Sequence, residues 1–147
     1  MDVWLLKLPF RLAVFDVDKA DRVIDLGSYA YRYVGGHSLG GAMAAVYASE
    51  HGDKLDGVIL LAAFPTRPLD ADLPLLVIYG SEDGVLNREK VAEGRKYAQG
   101  RYAEVVIEGG NHAQFGNYGK QRGDGEASVS REEQQERTAE IIAENLP

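Results

Sequence analysis

At 147 residues the chain is long enough for one domain with a substantial core and too short for two. Its 16 basic and 23 acidic residues leave a formal charge of −7, which repels phosphate backbones and anionic membrane surfaces and argues against a nucleic-acid role. The absence of cysteine excludes a disulfide framework and a thiolate metal site, and no apolar run approaches the roughly 20 residues of a membrane span.

Taken in order, Val3-Trp4-Leu5-Leu6-Lys7-Leu8 is expected to form a buried strand stopped by Pro9. Asp18 is expected to cap a short helix through Ala20, Val23 and Ile24, whose spacing puts them on one face. Asp16 and Asp18 alone lack the rest of a calcium loop and read as a helix start, not as cation ligands. Tyr31-Arg32-Tyr33-Val34 is rich in β-formers, Gly35 to Gly41 is a glycine-rich turn, and Ala42 to Ala48 predicts a buried helix ending near His51-Gly52. Within that turn lies Gly36-x-Ser38-x-Gly40. A strand-to-helix turn of this pattern is that of a nucleophile elbow, with close packing expected to leave room only for glycine on both sides of the serine. Ser38 would project from the turn, and the N–H of Leu39 would point from the helix N-terminus at any oxygen turning negative before it. Read alone, the same pattern also suits a close-packed corner or a phosphate-holding loop.

Leu55 and Gly57 to Ala63 predict the next strand, continuously apolar as in a parallel sheet covered on both faces, followed by a loop over Phe64 to Leu69. Leu73 to Tyr79 is a further strand, ending in Gly80-Ser81-Glu82-Asp83-Gly84. Asn87 starts a helix through Val91 toward Tyr97 and Ala98, with Gly100 as its stop. Tyr102 to Ile107 is another strand, ending in Glu108-Gly109-Gly110-Asn111-His112. Ala113 to Val129 is polar and loop-like, and Ser130-Arg131-Glu132-Glu133 is a capping-box signature for a final helix to about Asn145, with Ala139, Ile142 and Leu146 as its apolar stripe. Strands alternating with helices predict a three-layer α/β/α fold, one domain over residues 1–147, with a mainly parallel sheet of about five strands. Serine, acid and histidine each fall just past the C-terminal end of a strand, the chain order of an α/β-hydrolase triad.

Gly35-Gly36-His37-Ser38-Leu39-Gly40-Gly41-Ala42-Met43-Ala44, with Gly110-Asn111-His112-Ala113-Gln114-Phe115-Gly116 and Tyr118-Gly119, resembles the α/β-hydrolase family, in particular a bacterial branch akin to dienelactone hydrolases. Lys7 to Phe15 and Gln121-Arg122-Gly123-Asp124-Gly125 look like that branch too, so the similarity covers nearly the whole chain. The resemblance implies Ser38 as nucleophile, Asp83 as acid and His112 as base; Glu82, one residue before Asp83, is the alternative acid, no cofactor is expected, and the three histidines, scattered on a turn, a helix end and a loop, form no recognisable metal-ligand set. It implies ester hydrolysis through an acyl-serine, with a small-molecule ester as substrate; the rivals are acyl transfer by the same serine and an inactive fragment serving as a structural or binding module. His37, Phe64, Gln114, Phe115 and Tyr118 are candidates to line the pocket, Asp124 shapes it or orders its loop, and His51 near a helix end is expected to be solvated or to interact favourably with the helix dipole.

The departure from the family pattern is at the front, where further strands and a His-Gly or Pro-Gly-Gly oxyanion loop would stand. The chain therefore reads as an N-terminally truncated, partial α/β-hydrolase fold. Localisation stays open, cytoplasmic being the default expectation, because a lost front would carry any signal peptide with it. With the Leu39 N–H as sole oxyanion donor, turnover is expected to fall about 10²–10³-fold without being abolished. The first strand must pair with the elbow strand, or an exposed sheet edge invites a homodimer.

Overall fold

A computed structural model describes residues 2–5, 20–24, 29–117 and 119–146. Four strands lie side by side in chain order and all run parallel: β1 (Tyr33–His37), β2 (Gly57–Leu61), β3 (Leu75–Gly80) and β4 (Tyr102–Ile107). Between and after them come α2 (Leu39–Glu50), α3 (Arg88–Gly94) and α4 (Arg131–Asn145), and a single turn of helix, α1 (Asp21–Ile24), precedes them. No helix among the described residues is long and apolar enough to cross a membrane.

Alternation along the strands divides the core in two. Val58, Leu60, Leu75, Val77 and Tyr79 face α2 and α3, where Ala44, Ala45, Tyr47, Ala48 and Val91 close the layer. Leu76, Ile78 and Ile107 face the other way, with Ile59, Leu61, Val105 and Phe115 around them and Ile141 and Ile142 of α4 on top. The arrangement is the expected α/β/α sandwich. β3 is buried along its whole length, as befits the middle of a parallel sheet with both faces covered.

Several boundaries differ from the sequence reading for definite physical reasons. Of the expected first strand, Val3, Trp4 and Leu5 have no regular structure and are 80%, 57% and 85% exposed; with no strand beside them among the described residues, their β-forming composition has nothing to act on. Leu6 to Leu8 lie outside the described residues, as do Asp16 and Asp18, so the described sheet has four strands and β1 has a described neighbour, β2, on one side. Gly35 and Gly36 belong to β1, not to the turn, because the backbone of β2 passes so close that a Cβ on Gly35 would stand 2.7 Å from the Ile59 carbonyl oxygen. The helix begun at Asn87, whose side chain accepts from the Lys90 N–H, is α-helical only to Gly94 and finishes as a 3₁₀ turn at Arg95–Tyr97.

The final helix keeps Ile142 of its expected stripe against the core and leaves Leu146 half-buried, but it turns Ala139 outward. Ser130 caps it, its hydroxyl accepting from the Glu133 N–H, but Glu133 pairs with Arg137. Ala139 is exposed, and the inner face is Gln134, Thr138, Ile141 and Ile142, two of them polar. The rotation is set by Gln134, which reaches the loop carrying His112.

Urea denaturation tests this orientation. Truncating the fully buried Ile78 in Ile78→Ala should cost about 2–5 kcal/mol. Ala139→Lys on the exposed face should stay within about 0.5 kcal/mol of wild type; a loss as large as that of Ile78→Ala would mean that Ala139 faces the sheet.

Candidate active site

Ser38 stands where β1 ends and α2 begins, with φ 53° and ψ −121°. A serine rarely adopts a positive φ, and holding one there costs on the order of 1–3 kcal/mol, met by the packing around it. The packing is specific. A Cβ on Gly36 would sit 2.6 Å from the Gly40 carbonyl carbon, and one on Gly41 would sit 2.6 Å from both the Ala63 Cβ and the Gly36 oxygen. The expectation that Gly40 is equally confined is corrected: a Cβ there meets nothing within 4 Å, and Gly41 is the glycine that lets α2 press onto β1 and the end of β2. Ser38 occupies the N-cap of α2 without making a side-chain capping bond, although serine is a favoured capping residue. Its hydroxyl is thus not spent on the helix, and the first N–H groups of α2, Leu39 first among them, have no intrahelical acceptor.

Two loops at the same rim bring an acid and an imidazole together. The turn after β3 folds the Asp83 carboxylate under its own backbone, where Oδ1 accepts from the N–H groups of Val85 at 2.9 Å and Leu86 at 2.8 Å. The other oxygen, Oδ2, lies 2.8 Å from Nδ1 of His112, which follows β4. Both residues are buried, at 6% and 2% relative exposure. Burial alone would raise the Asp83 carboxyl, but the hydrogen bond from His112 and the Leu86 and Val85 N–H groups outweigh it and hold it below its ordinary value. Glu82, one residue earlier, turns outward and accepts from the Ser81 hydroxyl at an exposed position.

With Nδ1 engaged by the carboxylate, the other ring nitrogen of His112, Nε2, is buried and makes no hydrogen bond among the described residues. The Ser38–His112 hydrogen bond of an assembled triad is therefore not formed in this structure. His37, directly before Ser38, packs its ring against that of His112 with centroids 4.6 Å apart and lies 5.7 Å from Phe115. The chain thus delivers Ser38 to the rim where the acid and imidazole meet. Burial first, then the neighbouring His112, push His37 down to about 4, while a backbone hydrogen bond with His112 and the charges of Asp83 and Asp124 act in the opposite direction. His37 is accordingly neutral near pH 7.

The remaining pocket candidates separate. Phe64 packs into the core on the α2 and α3 side, and Phe115 into the opposite core beneath His37. Gln114 is occupied in holding its loop, Nε2 donating to the Val129 carbonyl at 3.1 Å and to Gln134 Oε1 at 3.2 Å. Tyr118 lies outside the described residues. His51 stacks on Tyr47 with centroids 4.5 Å apart.

Gln134 carries a structural role that the sequence reading misses. Fully buried, it accepts from the Asn111 N–H at 3.0 Å and donates to the Asn111 carbonyl at 2.8 Å, fastening the residue before His112 to α4. A glutamine in an otherwise polar helix gives no periodic signal that could have found it. Among the described residues no group of three or more His, Asp or Glu side chains could hold a metal ion.

The chain belongs to the alpha/beta hydrolase family, whose model matches residues 1–136. No curated protein is a significant sequence match. Among solved structures, alpha/beta hydrolase domain-containing protein 10 from mouse is similar at 10% identity and TM-score 0.61, over 89% of this chain and 69% of that one. Est1E from Butyrivibrio proteoclasticus is similar at 17% identity and TM-score 0.61, over 92% of this chain and 69% of that one. An alpha-beta serine hydrolase homologue from Coxiella burnetii is similar at 21% identity and TM-score 0.54, over 68% of this chain and 51% of that one. At these identities the likeness is one of fold. This chain corresponds to between half and about 70% of their length.

Two measurements probe the elbow and its neighbour. Gly41→Ala should lower stability by about 1–3 kcal/mol through overpacking, whereas Gly40→Ala in the first turn of α2 should be neutral or stabilise by up to about 1 kcal/mol; equal losses would contradict the asymmetry. An imidazole at about 4 when folded and roughly 6.5 when unfolded binds more protons unfolded, so its contribution is fully present above about pH 6.5 and is lost as pH falls toward 4. Discounted for solvent screening at a partly exposed ring, the loss is on the order of 1–2 kcal/mol. Denaturation series from pH 7 to pH 4 should show a shallower decline for His37→Gln than for wild type; parallel declines would remove His37 as the cause.

Proposed function

We propose that the protein is a serine hydrolase that cleaves carboxylic esters of small molecules through Ser38, His112 and Asp83, in the manner of the bacterial branch akin to dienelactone hydrolases. The observation that carries the reading is the buried Asp83–His112 pair, Nδ1 to Oδ2 at 2.8 Å, with the opposite ring nitrogen left unbonded and the imidazole packed on His37, the residue before the strained elbow at Ser38. A buried imidazole oriented by a carboxylate, its second nitrogen open, has the form of a general base awaiting a proton donor.

In this reading Nε2 of His112 takes the proton of the Ser38 hydroxyl as Oγ bonds to the ester carbonyl carbon. The carbonyl oxygen gathers negative charge in line with the Leu39 N–H at the N-terminus of α2. Collapse of the tetrahedral species breaks the bond to the alcohol, which leaves with the proton carried by His112. Water then attacks the acyl-serine, giving its proton to the same nitrogen, and the acid departs as Ser38 regains its hydrogen. Asp83 stays ionised throughout, keeping the Nδ1–H tautomer and offsetting the imidazolium charge. The open Nε2 is compatible with this cycle, since catalytic hydrogen bonds are often long in free enzymes and tighten when substrate binds.

Hydrolysis of a short-chain aryl ester and labelling by a fluorophosphonate test the proposal together. Wild type should label at Ser38 and turn over ester, Ser38→Ala should do neither, and Asp83→Asn should lower turnover about 10⁴-fold. Glu82→Gln should remain close to wild type. An unlabelled wild type would overturn the hydrolase reading, and a loss confined to Glu82→Gln would reassign the acid.

A further inference from the structure

One polar side chain at the rim is bonded in a way that the three-residue reading does not use. Asp124 lies in the loop between the 3₁₀ turn after His112 and α4, and both of its oxygens accept from backbone N–H groups. Oδ1 accepts from Gly84 at 3.2 Å, from His112 at 3.1 Å and from Gly125 at 3.0 Å. Oδ2 accepts from Ala113 at 2.8 Å. Gly84 is the residue after Asp83, and Ala113 is the residue after His112. A single carboxylate therefore bridges the two separate loops whose side chains form the buried pair. No lysine, arginine or histidine forms an ion pair with it among the described residues, so these N–H groups are what compensate its charge.

The backbone around it is shaped to permit the bridge. A Cβ on Gly84 would lie 2.4 Å from the Gly123 oxygen, and one on Gly125 would lie 2.1 Å from the Glu82 oxygen. The 121–125 loop is thus pressed directly onto the turn carrying Asp83. It is held to the other loop as well, because Asn111 Nδ2 donates to the Gly125 carbonyl at 2.8 Å. Asp83 and His112 come from strands β3 and β4, and the strand pairing fixes the ends of those strands but not the loops beyond them. The 2.8 Å bond between the two side chains depends on loops held in register: near the strands the Glu82 N–H donates to the Gly110 carbonyl at 2.8 Å and the Ser81 hydroxyl accepts from the Gly109 N–H at 2.8 Å, and farther out, at Gly84, His112 and Ala113, the Asp124 carboxylate is bonded to both loops.

We propose that Asp124 is a positioning residue of the hydrolytic site: it fixes the separation of the acid-bearing and base-bearing loops and so keeps the His112 Nδ1–H on the Asp83 carboxylate. This rests on the reading of Ser38, His112 and Asp83 as the working groups. The requirement is for a carboxylate. An amide of the same shape has one acceptor oxygen, and its NH₂ would face an N–H group on the other side.

The test compares Asp124→Asn with wild type and with Glu126→Gln, which alters an exposed carboxylate of the same loop that pairs with Lys120. Three quantities are read: the far-downfield proton resonance of the His112 Nδ1–H, the rate of fluorophosphonate labelling at Ser38, and kcat and KM on an aryl ester. Asp124→Asn should lose the resonance, and its labelling rate and kcat should fall about 10- to 100-fold, the size expected when reacting groups are displaced by about 1 Å. KM should stay near wild type, and Glu126→Gln should match wild type throughout. If Asp124→Asn does not fold, Asp124→Ser, whose hydroxyl cannot span both loops, takes its place with the same expectation. A folded variant that keeps both the resonance and the labelling rate overturns the proposal. Should wild type itself fail to label, the hydrolase reading falls, while the resonance still decides whether Asp124 holds the pair.

Discussion

The hydrogen bond between Nδ1 of His112 and Oδ2 of Asp83 is the interaction on which this site depends. Both partners are withdrawn from water, so either one alone would be a buried polar group without compensation, at a cost of one to several kcal/mol. Together they are tolerable only if the carboxylate is satisfied on its other side, which the Val85 and Leu86 N–H groups accomplish. Misplacing either loop would leave Nδ1 of His112 and Oδ2 of Asp83 unsatisfied at once. That explains the density of polar contacts here, where Asn111, Gln114, Asp124 and Gln134 hold backbone groups rather than one another's charges.

The sheet sets the stage. Four parallel strands in chain order place every strand C-terminus at one rim, and the turns after β1, β3 and β4 bring Ser38, Asp83 and His112 there. Helices α2 and α4 lie on opposite faces, and each anchors one part of the site: α2 through the packing of Gly36 and Gly41 behind Ser38, α4 through Gln134 behind His112. The imidazole is thus oriented from three directions, by a carboxylate at Nδ1, a neighbouring ring in His37 and the backbone bonds at its own N–H.

Much of the fold was legible in the sequence because its signals are physical. Apolar runs of strand length bounded by glycine, proline and polar turns gave β4 to the residue and β2 and β3 to within two residues at each end, and the Asn87 and Ser130 caps do what such residues do. What misled were signals whose meaning depends on partners. Gly35 and Gly36 suggest a turn until β2 is placed against them, and Val3 to Leu5 suggest a strand although no described strand lies beside them. The spacing Gly36-x-Ser38-x-Gly40 names two glycines, yet confinement falls on Gly36 and Gly41, because contact between α2 and the end of β2 is a property of the packed helix and not of the pattern. Gln134 and the bridging role of Asp124 were invisible for the same reason: a polar residue in a polar segment reveals which backbone groups it serves only once the chain is folded.

The most direct measurement of the central claim is a crystal structure of the protein after reaction with an ester-mimicking phosphonate. The account predicts phosphorus bonded to Ser38 Oγ, Nε2 of His112 within about 2.6–3.2 Å of an oxygen on the adduct, and the Leu39 N–H about 2.7–3.1 Å from the phosphoryl oxygen, with the His112–Asp83 bond intact. An adduct on another residue, or one on Ser38 with Nε2 still unbonded and the Leu39 N–H turned away, would contradict it.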